Sequence, residues 1–186
     1  MRKVRRDEIV DYQTYNETRD AIRPRIIDEK ARRRAHVGEH FTFLFENTES
    51  VRYQVQEMMR TEQIVKEKDI VHELQTYNDL LGDQGVLGAT LLIEISDEGE
   101  RAVKLRAWKG VMPHLYARLS DGLKVYAQYD KAQVGDERLS SVQYLKFDTK
   151  GKTPVAFGID APVLSLESPV SADVQRALTE DLRSDL

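Results

Sequence analysis

The sequence predicts an α+β fold: a largely antiparallel sheet packed with helices, a helical N-terminal segment and a C-terminal helix. Three observations carry it. Phe41, Phe43 and Phe45 alternate with Thr42, Leu44 and Glu46, which is the period of a strand with one buried face. Asp121-Gly122 stands between two further alternating runs, 114–119 and 123–129, as a hairpin turn does. Helical spacing dominates both ends of the chain, and strands dominate the middle and second half.

Residues 1–35 are polar and helical in character, with eleven Lys or Arg against seven Asp or Glu. Asp7 is a candidate cap for a short helix. Pro24 marks the first turn of a second one. Asp28 with Arg32, and Glu29 with Arg33, are i,i+4 pairs in the favourable order.

The strand at 41–46 turns at Glu46-Asn47 into an amphipathic helix that Asn47 or Thr48 caps. Val51, Val55, Met58 and Met59 share one arc of it, and Glu62 lies near the middle of that arc. A helix follows over 69–81 with Asp69 as cap and Ile70, Leu74, Tyr77 and Leu81 inward. The turn at 82–85 leads to a second strong strand at 89–95. Thr42-x-Leu44-x-Glu46 and Thr90-x-Leu92-x-Glu94 read alike, so the two strands are candidates to lie side by side.

A helix over 97–108 faces Ala102, Leu105 and Trp108 inward. Short strands at 141–147, 154–158 and 163–166 follow the hairpin. Ser171 caps a last helix whose apolar stripe is Val174, Ala177, Leu178 and Leu182. The length suits one domain: 1–35 a basic helical segment, 36–170 the α+β core, 171–186 the C-terminal helix.

There is no cysteine, which excludes disulfides, zinc thiolates, iron–sulfur ligation and cysteine nucleophiles. The first residues carry charge with no apolar stretch behind them, so they do not read as a secretory signal. The longest apolar run, 86–93, is far short of the ~20 residues of a membrane helix. We therefore expect a soluble cytoplasmic protein that is not a membrane protein. At a net charge of −4, nothing global points to nucleic acid. The run Arg32-Arg33-Arg34 invites a phosphate reading, but no aromatic or glycine-rich platform accompanies it, and a solvated helix end accounts for it better.

His36-Val37-Gly38-Glu39-His40 matches a metalloprotease pattern, H-x-x-E-H. That chemistry needs a helix. On an extended chain the two imidazoles stand roughly 13 Å apart at ~3.3 Å per residue, too far for one zinc with bonds of about 2 Å. A carboxylate cluster is the better metal candidate. If the strands bearing Glu46 and Glu94 are neighbours and the helix bearing Glu62 packs over them, the three converge on a hard cation, with His40 or His72 as weaker additional ligands. The plain alternative puts Glu46 and Glu94 at strand ends, and Glu62 at a frayed helix end or beside an Arg at the core edge. There is no G-x-S-x-G, P-loop or G-x-G-x-x-G. Tyr116, Tyr126, Tyr129 and Tyr144 fall on strand segments and read as core or sheet surface rather than a base-stacking platform.

The run F-L-F-E-N, followed by V-R-Y-Q-V-Q-E-M-M-R-T-E, resembles the bacterial domain-of-unknown-function family numbered 3501. The stretches 73–81 and 134–147 resemble it too, so the likeness spans nearly the whole chain. The resemblance implies an accessory role in redox or iron metabolism, with a rubrerythrin-like or iron–sulfur protein as partner. It supplies no catalytic residue. The sequence thus leads to a non-enzymatic accessory or protein-binding module without a predicted cofactor. The alternatives are a metal-dependent enzyme built on the carboxylates, with a divalent cation, and, more weakly, nucleic-acid binding through the basic N-terminal segment.

Overall fold

Alternation in the first strand sets the architecture, as a computed structural model of the protein describes it for residues 1–184. The chain runs through α1 (Tyr12–Ala31), β1 (Arg34–Val37), β2 (Phe41–Phe45), α2 (Thr48–Glu62), α3 (Glu67–Asn78), β3 (Val86–Ile93) and α4 (Glu98–Ala107). It continues with β4 (Leu115–Leu119), β5 (Lys124–Tyr126), β6 (Val142–Asp148), β7 (Pro154–Ala161), β8 (Leu164–Pro169) and α5 (Ala172–Arg183). The fold is α+β, as expected. The strands divide into two antiparallel sheets of four, ordered β1-β2-β3-β6 and β5-β4-β7-β8.

The sheets face each other across one core. Phe43 and Phe45 from β2 meet Phe157 of β7 at ring-centroid distances of 5.4 and 4.9 Å, and Phe147 of β6 meets Phe157 at 5.6 Å. All four rings are essentially inaccessible to water. Aromatic pairs at these separations add to the burial energy of their large surfaces. Leu105, Val111 and Met112 join this core, as do Val174, Leu178 and Leu182 of α5.

The outer strands are guarded. Gln128 and Lys146 exchange backbone hydrogen bonds of 2.8 Å. The Gln133 side chain pairs with both backbone groups of Tyr144, at 2.7 and 2.9 Å. On the other margin Gly38 N–H donates to Ser168 Oγ at 3.3 Å. Such contacts occupy edge groups that would otherwise template another strand.

Helices α1 to α3 and the N-terminal segment form a second core, in which Val4, Ile9, Val51, Val55, Met59, Ile70 and Leu74 are buried. Two buried amides fasten the N-terminal segment to it. Asn78 accepts from Val4 N–H and donates to Val4 C=O, both at 2.9 Å. Gln56 does the same for Val10 at 2.8 and 3.1 Å. An irregular segment cannot bury its peptide groups without partners of this kind. Gly88 lets the second core approach the first sheet: a Cβ there would fall 1.8 Å from the Leu80 carbonyl oxygen.

Several boundaries differ from those expected. α1 is one helix with Pro24 inside it rather than at the start of a second. The missing Pro24 N–H costs one backbone bond, but Pro24 is exposed. Paired carboxylates on α2 hold α1 on both sides of it, Arg19 to Glu57 and Arg25 to Glu49. Asp69 lies within the first turn of α3, where it favours the helix dipole; the cap position belongs to Lys66. Asp7 does not cap its short turn; Glu8 instead accepts from Arg5 N–H at 2.7 Å. Asn47 and Ser171 cap α2 and α5 as the sequence indicates. The end of the expected C-terminal helix, residues 185 and 186, lies outside the described residues.

The run Arg32-Arg33-Arg34 is not a uniform solvated helix end. Arg32 pairs with Glu29. Arg33, 3% exposed, makes a two-pronged pair with Asp181 of α5 at 2.8 and 2.9 Å and reaches Glu29 at 2.5 Å. Burial pushes the Asp181 carboxyl up and the Arg33 guanidinium opposes that shift. Removing Asp181 leaves the Arg33 guanidinium buried with two of its donors unmatched and Glu29 as its one remaining carboxylate. Asp181→Ala should therefore lower the unfolding free energy by about 3 kcal/mol, read by urea denaturation, while Arg33→Met with Asp181→Leu should lose less than about 1 kcal/mol. Equal losses would show that the pair is not what holds this junction.

Candidate functional site

β2 and β3 are neighbours, as their shared pattern suggests, but they run antiparallel, with Thr42 opposite Leu92 and Leu44 opposite Thr90. That direction separates the two carboxylates. Glu94 N–H bonds to His40 C=O, whereas Glu46 N–H bonds to Gly88 C=O, six residues away along β3. At ~3.3 Å per residue the two positions stand roughly 20 Å apart. Glu46 is buried and accepts from Ser50 Oγ at 2.5 Å. Glu62 is exposed, because α2 ends there and Gln63 turns the chain away with a φ of 52°. His72 is exposed on α3. Glu46, Glu62 and Glu94 therefore do not converge. Among the described residues, no group of three or more His, Asp or Glu is placed to hold a metal ion.

Glu94 does gather both histidines of the H-x-x-E-H run, by other means. Thr42 Oγ1 donates to Glu94 Oε2 at 2.5 Å, so its lone pairs face His36 Nδ1, 2.9 Å away. His40 Nδ1 lies 3.3 Å from the Glu94 carbonyl, and its Nε2 lies 2.5 Å from Lys104 Nζ. An ammonium only donates, so Nε2 accepts and Nδ1–H points to the carbonyl. Both nitrogens of His40 are thereby occupied. His36 sits on β1 and His40 in the turn after it, so neither is on a helix.

A connected network of polar and aromatic side chains lies elsewhere, on the outer face of the second sheet, with Tyr116 buried beneath an exposed Lys124 and Tyr126. β4 alternates Leu115, Ala117 and Leu119 inward with Tyr116 and Arg118 outward. Its pairing with β7 sets Tyr116 beside Gly158, whose other neighbour is Glu167 of β8. The Tyr116 ring occupies the space a side chain would take: a Cβ on Gly158 would fall 2.5 Å from its ring and hydroxyl. Tyr116 Oη donates to Glu167 at 2.9 Å, and Arg118 grips the same carboxylate with two bonds of 2.7 and 3.0 Å. Lys124 Nζ stands 3.9 Å from the Tyr116 ring centroid and donates to Asp160 at 2.9 Å. Tyr126 Oη also donates to Asp160, at 2.8 Å, and His114 Nδ1 lies 3.4 Å from it.

Every shift in this network moves away from neutrality. The Arg118 guanidinium holds the Glu167 carboxyl down, and the Lys124 ammonium holds Asp160 down. Lys124 is raised by Asp160. Burial raises the Tyr116 phenol, and the bond to Asp160 raises that of Tyr126. A general acid or base at neutral pH needs the opposite displacement.

The sequence marked Tyr116 and Tyr126 as sheet residues but did not assemble this platform. The expected strand stopped at 158, whereas β7 continues to Ala161 and so puts Gly158 inside a strand, where a glycine marks a close approach.

A family model described as "Protein of unknown function (DUF3501)" matches residues 3–182. The chain belongs to this family. A crystal structure described as a novel protein of unknown function from Burkholderia pseudomallei is similar, at a TM-score of 0.87 and 30% identity over 97% of this chain and 100% of that one. No curated protein matches. Membership agrees with the residues that carried the resemblance. Among the described residues, no helix is long and apolar enough to cross a membrane.

The depressed carboxyls of Asp160 and Glu167 set a pH dependence. Their contribution is fully present above the unfolded values of about 4 and is lost as pH falls through the lower folded ones. Acid unfolding curves should show Asp160→Asn with Glu167→Gln flattening the loss of stability below about pH 4. An unchanged acid slope would mean that these pairs add nothing.

Proposed function

We propose that the protein is a non-enzymatic binding module that docks a partner protein on the outer face of its second sheet. The observation that carries this reading is the network of Tyr116, Tyr126, Arg118, Lys124, Asp160 and Glu167. It is anchored on rigid strands, partly open to water, and has each charge already paired. Tyr126 is exposed and Arg118 half-exposed, held in place over a buried Tyr116, so both offer contact area at little further entropic cost, and Tyr and Arg are the residue types that dominate protein interfaces. The paired charges of both signs favour a partner with complementary charge, which sets orientation and encounter rate more than affinity. The family resemblance supplies the partner class to try first, a rubrerythrin-like or iron–sulfur protein of the cytoplasm.

A tagged copy should recover one stable partner from its native cells. Arg118→Ala or Tyr126→Ala should each weaken that complex about tenfold without unfolding the protein. Repeated recovery of the protein alone, or a complex indifferent to both changes, would sink the proposal. Metal analysis of protein purified without a metal-binding tag separates this reading from the enzyme alternative. The binding module predicts well below one equivalent of iron, manganese or zinc, and a stoichiometric metal would favour an enzyme.

A further inference from the structure

Between α1 and α2 runs a slot of about 270 Å³ that is separate from the sheet platform. Its walls include Tyr15, Ile22, Ile26 and Tyr53. Two of the polar groups that line it are engaged elsewhere. Tyr15 Oη donates to Glu57 at 2.7 Å, and the Gln56 amide is consumed by the backbone of Val10. Glu57 in turn takes two bonds from Arg19, at 2.7 and 3.0 Å. Water inside such a slot finds few partners, so its displacement by an apolar chain is favourable.

The rim has the opposite character. Arg25 and Arg52 both reach Glu49 Oε2, at 2.9 and 2.6 Å. Two guanidiniums thus share one carboxylate, which leaves an excess positive charge and unused donors, since each carries five N–H groups. The other rim carboxylate, Glu8, is neutralised by two bonds from Arg2, at 2.7 and 2.8 Å. Volume, dry walls and a cationic rim together define a small amphiphile with a negative head. The volume lies just under the usual range for small-molecule pockets, about 300–1,000 Å³.

We propose that this slot binds a medium-length acyl chain ending in a carboxylate, with the chain against Ile22 and Tyr53 and the head between Arg25 and Arg52. Guanidinium forks match a carboxylate in geometry as well as charge. Glu49 acts as an internal competitor that occupies the head position until a ligand arrives.

The probes are decanoate and the neutral decanol, titrated calorimetrically into the full chain below the concentration at which decanoate aggregates. Decanoate should bind saturably at one site, about tenfold tighter than decanol, as expected when one charge-assisted contact is added. Glu49→Gln should tighten decanoate and leave decanol unchanged. Arg25→Ala with Arg52→Ala should reduce decanoate to the level of decanol. Ile22→Trp should fill the slot and abolish both, with an unchanged circular dichroism spectrum. Thr18→Trp, one turn earlier on the same lining, serves should Ile22→Trp not fold. Absence of saturable decanoate binding, equal affinity for the two probes, or binding that survives a folded slot-filling variant would each overturn the proposal.

Discussion

The four-phenylalanine contact between the sheets is the constraint on which the remainder rests. Phe43 and Phe45 can meet Phe147 and Phe157 only if β2, β6 and β7 each turn one chosen face inward. Because side chains on a strand alternate strictly, that choice fixes every outward residue as well. The platform of Tyr116, Arg118 and Glu167 is thus the reverse side of a core decision, positioned by rings that none of its members touches. A core packed at crystal-like density makes this positioning stiff.

Amide side chains play a second organising role. Asn78, Gln56 and Gln133 each present a donor and an acceptor to one backbone residue, as a neighbouring strand would. Asn78 and Gln56 do this for irregular backbone of the N-terminal segment, and Gln133 does it for the open edge of β6. The cost of leaving a buried peptide group unpaired is large enough that each clamp matters individually. Together with the Arg33–Asp181 pair and the Arg6–Glu67 pair, they add directional bonds to segments that also meet through apolar contact.

The elements were legible where they depend on local pattern. The Phe41 to Phe45 alternation, the caps at Asn47 and Ser171, and the stripe of Val174, Ala177, Leu178 and Leu182 all express short-range periodicity. The carboxylate cluster failed on a long-range variable. Two similar strands were rightly placed side by side, but the pattern they share is silent on direction, and the antiparallel pairing expected of the sheet as a whole sent Glu46 and Glu94 to opposite ends. Glu62 followed the helical arc correctly and still missed the core, because the helix stops at that residue. The platform was illegible for a similar reason: Tyr116 meets Glu167 through two strand registers, and neither register is written in either residue's neighbourhood.

The cross-sheet phenylalanines also order events in time. Phe43 and Phe157 lie more than a hundred residues apart in the chain. A ribosome therefore releases the first rings long before their partner exists, whereas the neighbours of α2 in the helical core, α1 and α3, follow one another closely in sequence. Contacts between near neighbours form fastest, and distant ones wait on loop closure. During synthesis β1 and β2 must remain without their sheet-to-sheet core while the helices beside them condense. The aromatic face of β2 thus stays without its partner until β7 emerges, an interval in which exposed apolar surface favours aggregation.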